Sequence, residues 1–349
     1  MNTASSTYFV GEVVFLSFPP FFCGLSADPI LLLAALLTLA AVLVNGWTDA
    51  PNAIATVVSS GTLPISAAAI LAAVCNFLGV WLFSSLFPAV TDTIYHIAHF
   101  GDDRTAALFA LTAALAAIVL WAVFAWSFGI PTSESHALVA GVTGGAAALH
   151  GSLAAIRRDV WGQILLGLLF ALLVGYLLGK VASRLLPQKG PYRFGQIFGA
   201  ALLSFLHGAQ DGQKFLGIFL LAVTLAGERQ HTSFPAPPLW LIFLLSVTMA
   251  LGTLMGGRRI IRTLCGEQNT FPPREGFAAD LGSGICMLTA TLLGLPLSTT
   301  HAKTAAIFGA VSANKGHPKA AAPIGLVWLL TFPVCFLLGF LAVKGILAI

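Results

Sequence analysis

Long stretches of this chain carry no ionisable side chain, and that absence constrains the fold more than any motif does. No Asp, Glu, Lys or Arg occurs in 50–91, 105–133, 135–156, 160–179, 231–257, 281–302 or 320–343. A helix that crosses the hydrocarbon of a bilayer needs roughly 20 mostly apolar residues, and most of these stretches supply them. A soluble domain carries about a quarter charged residues; here the share is 9%, with 58% hydrophobic residues and a mean hydropathy of +0.92. The pattern predicts an all-α polytopic membrane protein. It excludes a soluble enzyme, a nucleic-acid-binding domain and a secreted disulfide scaffold. The cysteines (Cys23, Cys75, Cys265, Cys286, Cys335) show no CxxC spacing and read as packing residues, with no disulfide or metal site.

Residues 1–28 lack a basic start, contain Glu12 and are interrupted by Pro19 and Pro20, so they do not read as a signal peptide; an interfacial helix and a disordered segment are both open for them. The first basic residue is Arg104, while basic residues gather at Lys180, Arg184, Lys189 and Arg193 and again at Arg258, Arg259, Arg262 and Arg274. An N-terminus outside and both clusters in the cytoplasm follow from the positive-inside rule.

The chain repeats itself. Asn45-Gly46-Trp47-Thr48-Asp49-Ala50-Pro51-Asn52 matches His207-Gly208-Ala209-Gln210-Asp211-Gly212-Gln213-Lys214 at an offset of 162. Gly129-Ile130-Pro131-Thr132-Ser133-Glu134-Ser135-His136 matches Gly294-Leu295-Pro296-Leu297-Ser298-Thr299-Thr300-His301 at 165, and Gly175-Tyr176-Leu177 matches Gly339-Phe340-Leu341 at 164. Two homologous halves, 29–186 and 195–349, are therefore expected on either side of a basic linker, 187–194. Secondary transporters are often built from inverted repeats whose discontinuous helices hold the substrate near the midplane. Helix breaks are predicted after 45 and between 208 and 213, with re-entrant hairpins or half-helices at 131–150 and 296–313.

Away from loops, the ionisable residues reduce to Asp49, Glu134, Asp211, Lys214, Lys303 and Asp280. A charge at the bilayer centre costs about 2.5–3.5 kcal/mol on insertion scales, and five of these six fall inside duplicated motifs. The motifs suit an oxyanion. Pro131 and Pro296 can open a helix, and the hydroxyls after them are natural caps. A helix start offers unpaired N–H groups and a positive dipole end to phosphate or sulfate. Asp49, Glu134 and Asp211 against Lys214 and Lys303 leave the patch at −1, so an anion needs a compensating cation. Carboxylates also accept a hydrogen bond from P–OH, which sulfate lacks at neutral pH.

At these motifs the sequence resembles the PiT family of inorganic phosphate transporters, whose duplicated signature is similar to G-A-N-D-x-x-N/Q-[NK] followed by P-x-S-x-T-H. Here these stand as GWTDAPN and HGAQDGQK, then IPTSESHAL and LPLSTTHAK. The resemblance covers nearly all of the chain after residue 29. It implies an inverted-repeat symporter of the plasma membrane, homodimeric, carrying inorganic phosphate with sodium or a proton, without a further cofactor. Sulfate and metal-phosphate carriage are alternatives on the same fold. By position it assigns the substrate to Asp49, Asn52, Ser133, Glu134, Ser135, Asp211, Lys214, Ser298, Thr299 and Thr300. The coupling-ion candidates are Asp49, Asp211, Asp280, Asn76, His136 and His301, with sodium at Asp49 and Asp211. Trp47-Thr48, Gln210 and Glu134 depart from the family pattern; Asn76 stands where animal-like relatives carry Glu and where bacterial members, similar to proton- or metal-coupled carriers, also carry Asn.

Other readings are weaker. An intramembrane aspartyl protease would place an acid/base dyad at the two aspartates, yet no GxGD occurs. His136 and His301 more readily fix a helix break than relay protons, and His207 reads as a polar packing group. Trp81, Trp126, Trp161, Trp240 and Trp328, near segment ends, read as an interfacial belt, whereas Trp47, beside Asp49, reads as core packing or a cavity wall. The glycines of 141–151 read as close helix packing.

Overall fold

The computed structural model describes residues 27–130, 132–227, 236–255, 257–265, 271–313 and 321–348. Most of the N-terminal segment lies outside the described residues, as does Pro131. Among the described residues the regular structure is helical. The helices are α1 (Pro29–Thr48), α2 (Ala50–Ser59), α3 (Ile65–Leu86), α4 (Ala89–Tyr95), α5 (Arg104–Ser127), α6 (Glu134–His150) and α7 (Arg158–Leu185). They continue as α8 (Tyr192–Ala226), α9 (Leu239–Leu254), α10 (Arg258–Cys265), α11 (Pro273–Leu292), α12 (Thr299–Ser312) and α13 (Ala321–Leu347). Among the described residues five stretches, Pro29–Ser59, Ile65–Leu86, Arg104–Ser127, Arg158–Leu185 and Gly325–Leu347, are long and apolar enough to cross a membrane. Their outer faces are bare leucine: Leu120, Leu173 and Leu329 are each about 70% exposed, a surface that lipid tolerates and water does not.

Local chemistry sets the boundaries. Asp28 caps α1 by accepting from the Ile30 and Leu31 N–H groups at 3.0 and 3.1 Å, with Pro29 supplying a pre-set first turn. Asp103 caps α5 in the same way through the Ala106 N–H. The turns that end α5 and α11 are built alike: Gly129 and Gly294 both sit at φ 67°, a region that strains any residue with a Cβ. Gly129→Ala is expected to lower stability by about 1 kcal/mol, read as a lower thermal midpoint in detergent.

The helix packing comes in matched sets. Helix α7 lies along α12 as α13 lies along α6; α3 meets α8 as α9 meets α1; α5 meets α6 as α11 meets α12. Backbone contact through glycine fixes the crossings next to the aspartates. A methyl on Gly46 would stand 2.4 Å from the Met249 carbonyl, and one on Gly252 would stand 2.1 Å from that of Leu43. At the other crossing, a methyl on Gly208 would stand 2.3 Å from Asn76 O, and one on Gly79 1.9 Å from Phe205 O. The motif glycine is thus there for helix approach, three residues before each aspartate. Gly144 presses on the Phe336 carbonyl, in keeping with the packing role read for 141–151.

One expectation is corrected. The break between 208 and 213 is absent, because α8 runs unbroken from Tyr192 to Ala226. The first half does carry an interruption, at Asp49. Pro51 explains the difference: it sits in the first turn of α2 without an N–H to give, whereas its counterpart Gln213 keeps one and continues the helix.

Candidate functional site

Two triplets spaced i, i+4, i+7 face each other: Asn45, Asp49 and Asn52 on α1–α2, and His207, Asp211 and Lys214 on α8. All six are buried. Asn45 Nδ2 joins them, donating to Asp211 Oδ2 at 3.0 Å and, more weakly, to Asp49 Oδ2 at 3.4 Å. Asp49 Oδ1 accepts from Thr300 Oγ1 at 2.9 Å and from Asn52 Nδ2 at 3.4 Å, and Asn52 also donates to Thr300 at 2.8 Å. Lys214 spends its three N–H donors at 2.6 Å each, on Asp211 Oδ1, Ser135 Oγ and the Leu297 carbonyl.

The starts of α6 and α12 converge on this pair. Ser133 and Ser298 are their N-caps, accepting from the His136 and His301 N–H groups at 3.3 and 3.2 Å, so these two hydroxyls have a structural task beside any contact with substrate. Ser135 reaches Lys214 and Thr300 reaches Asp49, while the Thr299 hydroxyl is buried with no partner. Glu134 opens α6, where its carboxylate accepts from Thr48 and Thr132 at 3.4 Å and meets no basic side chain among the described residues. The rings of His136 and His301 stand 4.5 Å apart, head to head across the two helix starts. His301 is further locked by Ser298 and by Trp328, whose ring is 3.7 Å away. Trp328 is thus a buried part of the core and leaves the expected interfacial belt.

Two coupling-ion candidates lie elsewhere. Asn76 stands behind His207: its Nδ2 donates to Thr253, so its Oδ1 faces His207 Nδ1 at 2.9 Å. Asp280 sits on α11, paired with Lys303 and accepting from Thr56 Oγ1 at 2.8 Å. Lys303 therefore does not offset the motif carboxylates, and Asp49, Glu134 and Asp211 face Lys214 alone.

His207 is buried and bonded to Asn76, as a polar packing group would be, and it also faces the aspartates. Its Nε2 lies 3.4 Å from Asp211 Oδ2, and ligating atoms of Asp49, His207 and Asp211 lie within 4.8 Å of one another. With Nδ1 donating to Asn76, Nε2 is left as a bare acceptor toward two carboxylates, an assignment made from the hydrogen-bond network. The signal was present in the sequence, since His207 precedes Asp211 by one helical turn. A narrow cavity reaches this cluster, lined among others by Asp49, Asn52, His207, Thr299 and Lys303. Chemically, the site offers acceptors for a cation and, at two helix starts, N–H and hydroxyl donors for an anion.

A helical protein with membrane-spanning candidates that collects charges and helix ends in its interior has the features of a membrane transporter. The comparisons name the kind. Residues 45–189 and 180–339 match the Phosphate transporter family, and the chain belongs to that family. It is 34% identical over 331 residues to a Bacillus subtilis protein described as "Probable low-affinity inorganic phosphate transporter", covering 90% of this chain and 97% of the relative. A Mycobacterium bovis protein of the same description is 32% identical, covering 89% and 76%. Among solved structures, one titled "The sodium-dependent phosphate transporter" superposes with a TM-score of 0.78 at 19% identity, covering 91% of this chain and 98% of that one; it shares the fold.

Proposed function

We propose that this protein imports inorganic phosphate across the plasma membrane by symport with a monovalent cation, sodium or a proton. The observation that carries the reading is the meeting of two serine-capped helix starts over the Asp49–Asp211 pair. Donors from α6 and α12 suit a tetrahedral oxyanion, and the carboxylates suit its P–OH. The surplus of carboxylates over Lys214 supports coupling, because an anion added to a net-acidic, buried site needs positive charge beside it. Asp49, His207 and Asp211 are the acceptors we assign to that cation. The matched helix pairings support two inverted halves, 29–186 and 195–349, moving past each other, and we retain a homodimer as the assembled form.

Labelled phosphate uptake into proteoliposomes tests this, with inward sodium and inward proton gradients compared and sulfate as competitor. Saturable phosphate uptake driven by either gradient is expected. Sulfate movement without phosphate movement would overturn the substrate.

A further inference from the structure

The Lys303–Asp280 pair has no counterpart in the other half. At the repeat offsets, Lys303, Asp280 and Thr56 correspond to Leu138, Leu115 and Ile218, which are fully buried in one apolar cluster. The fold therefore closes this place without charge in the first half. A buried ion pair is often no more stabilising than apolar side chains of similar volume, so stability is a poor reason for it in the second half.

Its placement suggests another reason. Lys303 Nζ binds Asp280 Oδ1 and Thr56 Oγ1, the latter at 3.1 Å, and the same side chain borders the cavity shared with Asp49, Asn52, His207 and Thr299. Lys214 has no donor to spare, since its three are taken. Lys303 has two hydrogen-bond partners where Lys214 has three, and it is Lys303 that borders the cavity. On the far side of the pair, Asp280 Oδ2 is buried with no hydrogen-bond partner among the described residues, with Gly199 packed against the carboxylate.

We propose that Lys303 is a transferable anion ligand: it leaves Asp280 for the incoming phosphate, and Asp280 then takes a further co-transported cation, beside the one assigned to Asp49, His207 and Asp211. This rests on the phosphate reading above and deepens it. Once Lys303 turns to the anion, Asp280 is an isolated carboxylate in the interior, a state too unfavourable to persist. A proton or a sodium ion on Asp280 removes the imbalance. Anion and cation thereby enter together, because neither the bared carboxylate nor the anion without Lys303 is stable alone.

The test uses the full chain in detergent and in proteoliposomes, with inorganic phosphate as the probe. Phosphate affinity is measured with and without sodium, and proton uptake on phosphate addition is followed with a pH dye in weak buffer. The double variant Asp280→Leu/Lys303→Leu installs the side chains already tolerated in the first half. Lys303→Met and Asp280→Asn test each member alone. The double variant and Lys303→Met are expected to bind phosphate about tenfold more weakly, as loss of one hydrogen bond from a charged group predicts. The double variant and Asp280→Asn are expected to lose a cation that accompanies phosphate. A missing proton in the dye arm identifies that cation as a proton, and a lost sodium dependence identifies it as sodium. Parental affinity and cation linkage in a folded double variant overturn the exchange alone. No phosphate binding by the parent overturns the phosphate reading and the exchange with it.

Discussion

Asp49→Asn is expected to abolish phosphate uptake while leaving the thermal midpoint unchanged or raised, whereas Asp211→Asn is expected to abolish uptake and to unfold earlier. The two aspartates hold matched positions, yet their neighbours differ. Asp49 is held by neutral donors, Thr300, Asn52 and Asn45, and an Asn there can still accept from Thr300 while removing a buried negative charge. Asp211 is bonded to Lys214. Without its carboxylate that ammonium is left uncompensated in the interior, at a cost of roughly 3–5 kcal/mol. Uptake in proteoliposomes and thermal unfolding of the purified variants check both halves of the statement. Equal destabilisation by the two substitutions would sink the assigned charge pairing.

Gly208→Ala is expected to reduce uptake severely and to lower stability by several kcal/mol, although an added methyl is the smallest change a side chain can undergo. Its Cβ would stand 2.3 Å from the Asn76 carbonyl oxygen, with the Asn76 Cα also near 3.0 Å. These are backbone atoms of α3, so no rotamer change relieves the clash and the helices must separate. Overpacking of this kind costs about 1–3 kcal/mol even where side chains can adjust, and small residues at such crossings permit close helix association in membranes. Separation also withdraws the Asn76 side chain from His207 Nδ1, which frees the ring that faces the two aspartates. Thermal unfolding and uptake are the measurements. A variant with the parental midpoint and rate would show that the crossing is softer than the contact distances imply.

Much of the architecture was legible because hydrocarbon leaves a plain record. Apolar stretches mark the spans, and residues such as Asp49 and Asp211 stand out against them. The duplicated motifs were legible too, since Ser133 and Ser298 cap helices in the same way and Gly129 and Gly294 make the same turn. What misled was the assumption that matched motifs have matched backbones. A proline at 51 and a glutamine at 213 separate an interrupted helix from a continuous one, and that difference was visible in the residues. The partner of Lys303 was not legible in the same way. Nothing local joins position 303 to 280 or 56, and α2, α11 and α12 come together only on packing. Trp328 was misplaced for a related reason: a tryptophan near a segment end looks alike whether it meets headgroups or, as here, the ring of His301.

Helix α8 has 35 residues, a length of roughly 50 Å at 1.5 Å per residue, against about 30 Å of hydrocarbon. It runs without a break and carries Asp211 near its middle, so that carboxylate is seated on one continuous hydrogen-bonded rod. The column formed by α1 and α2 has a joint at Asp49, and a joint absorbs what a rod transmits. Asp211 is thus set on an unbroken stretch of backbone and Asp49 on a jointed one.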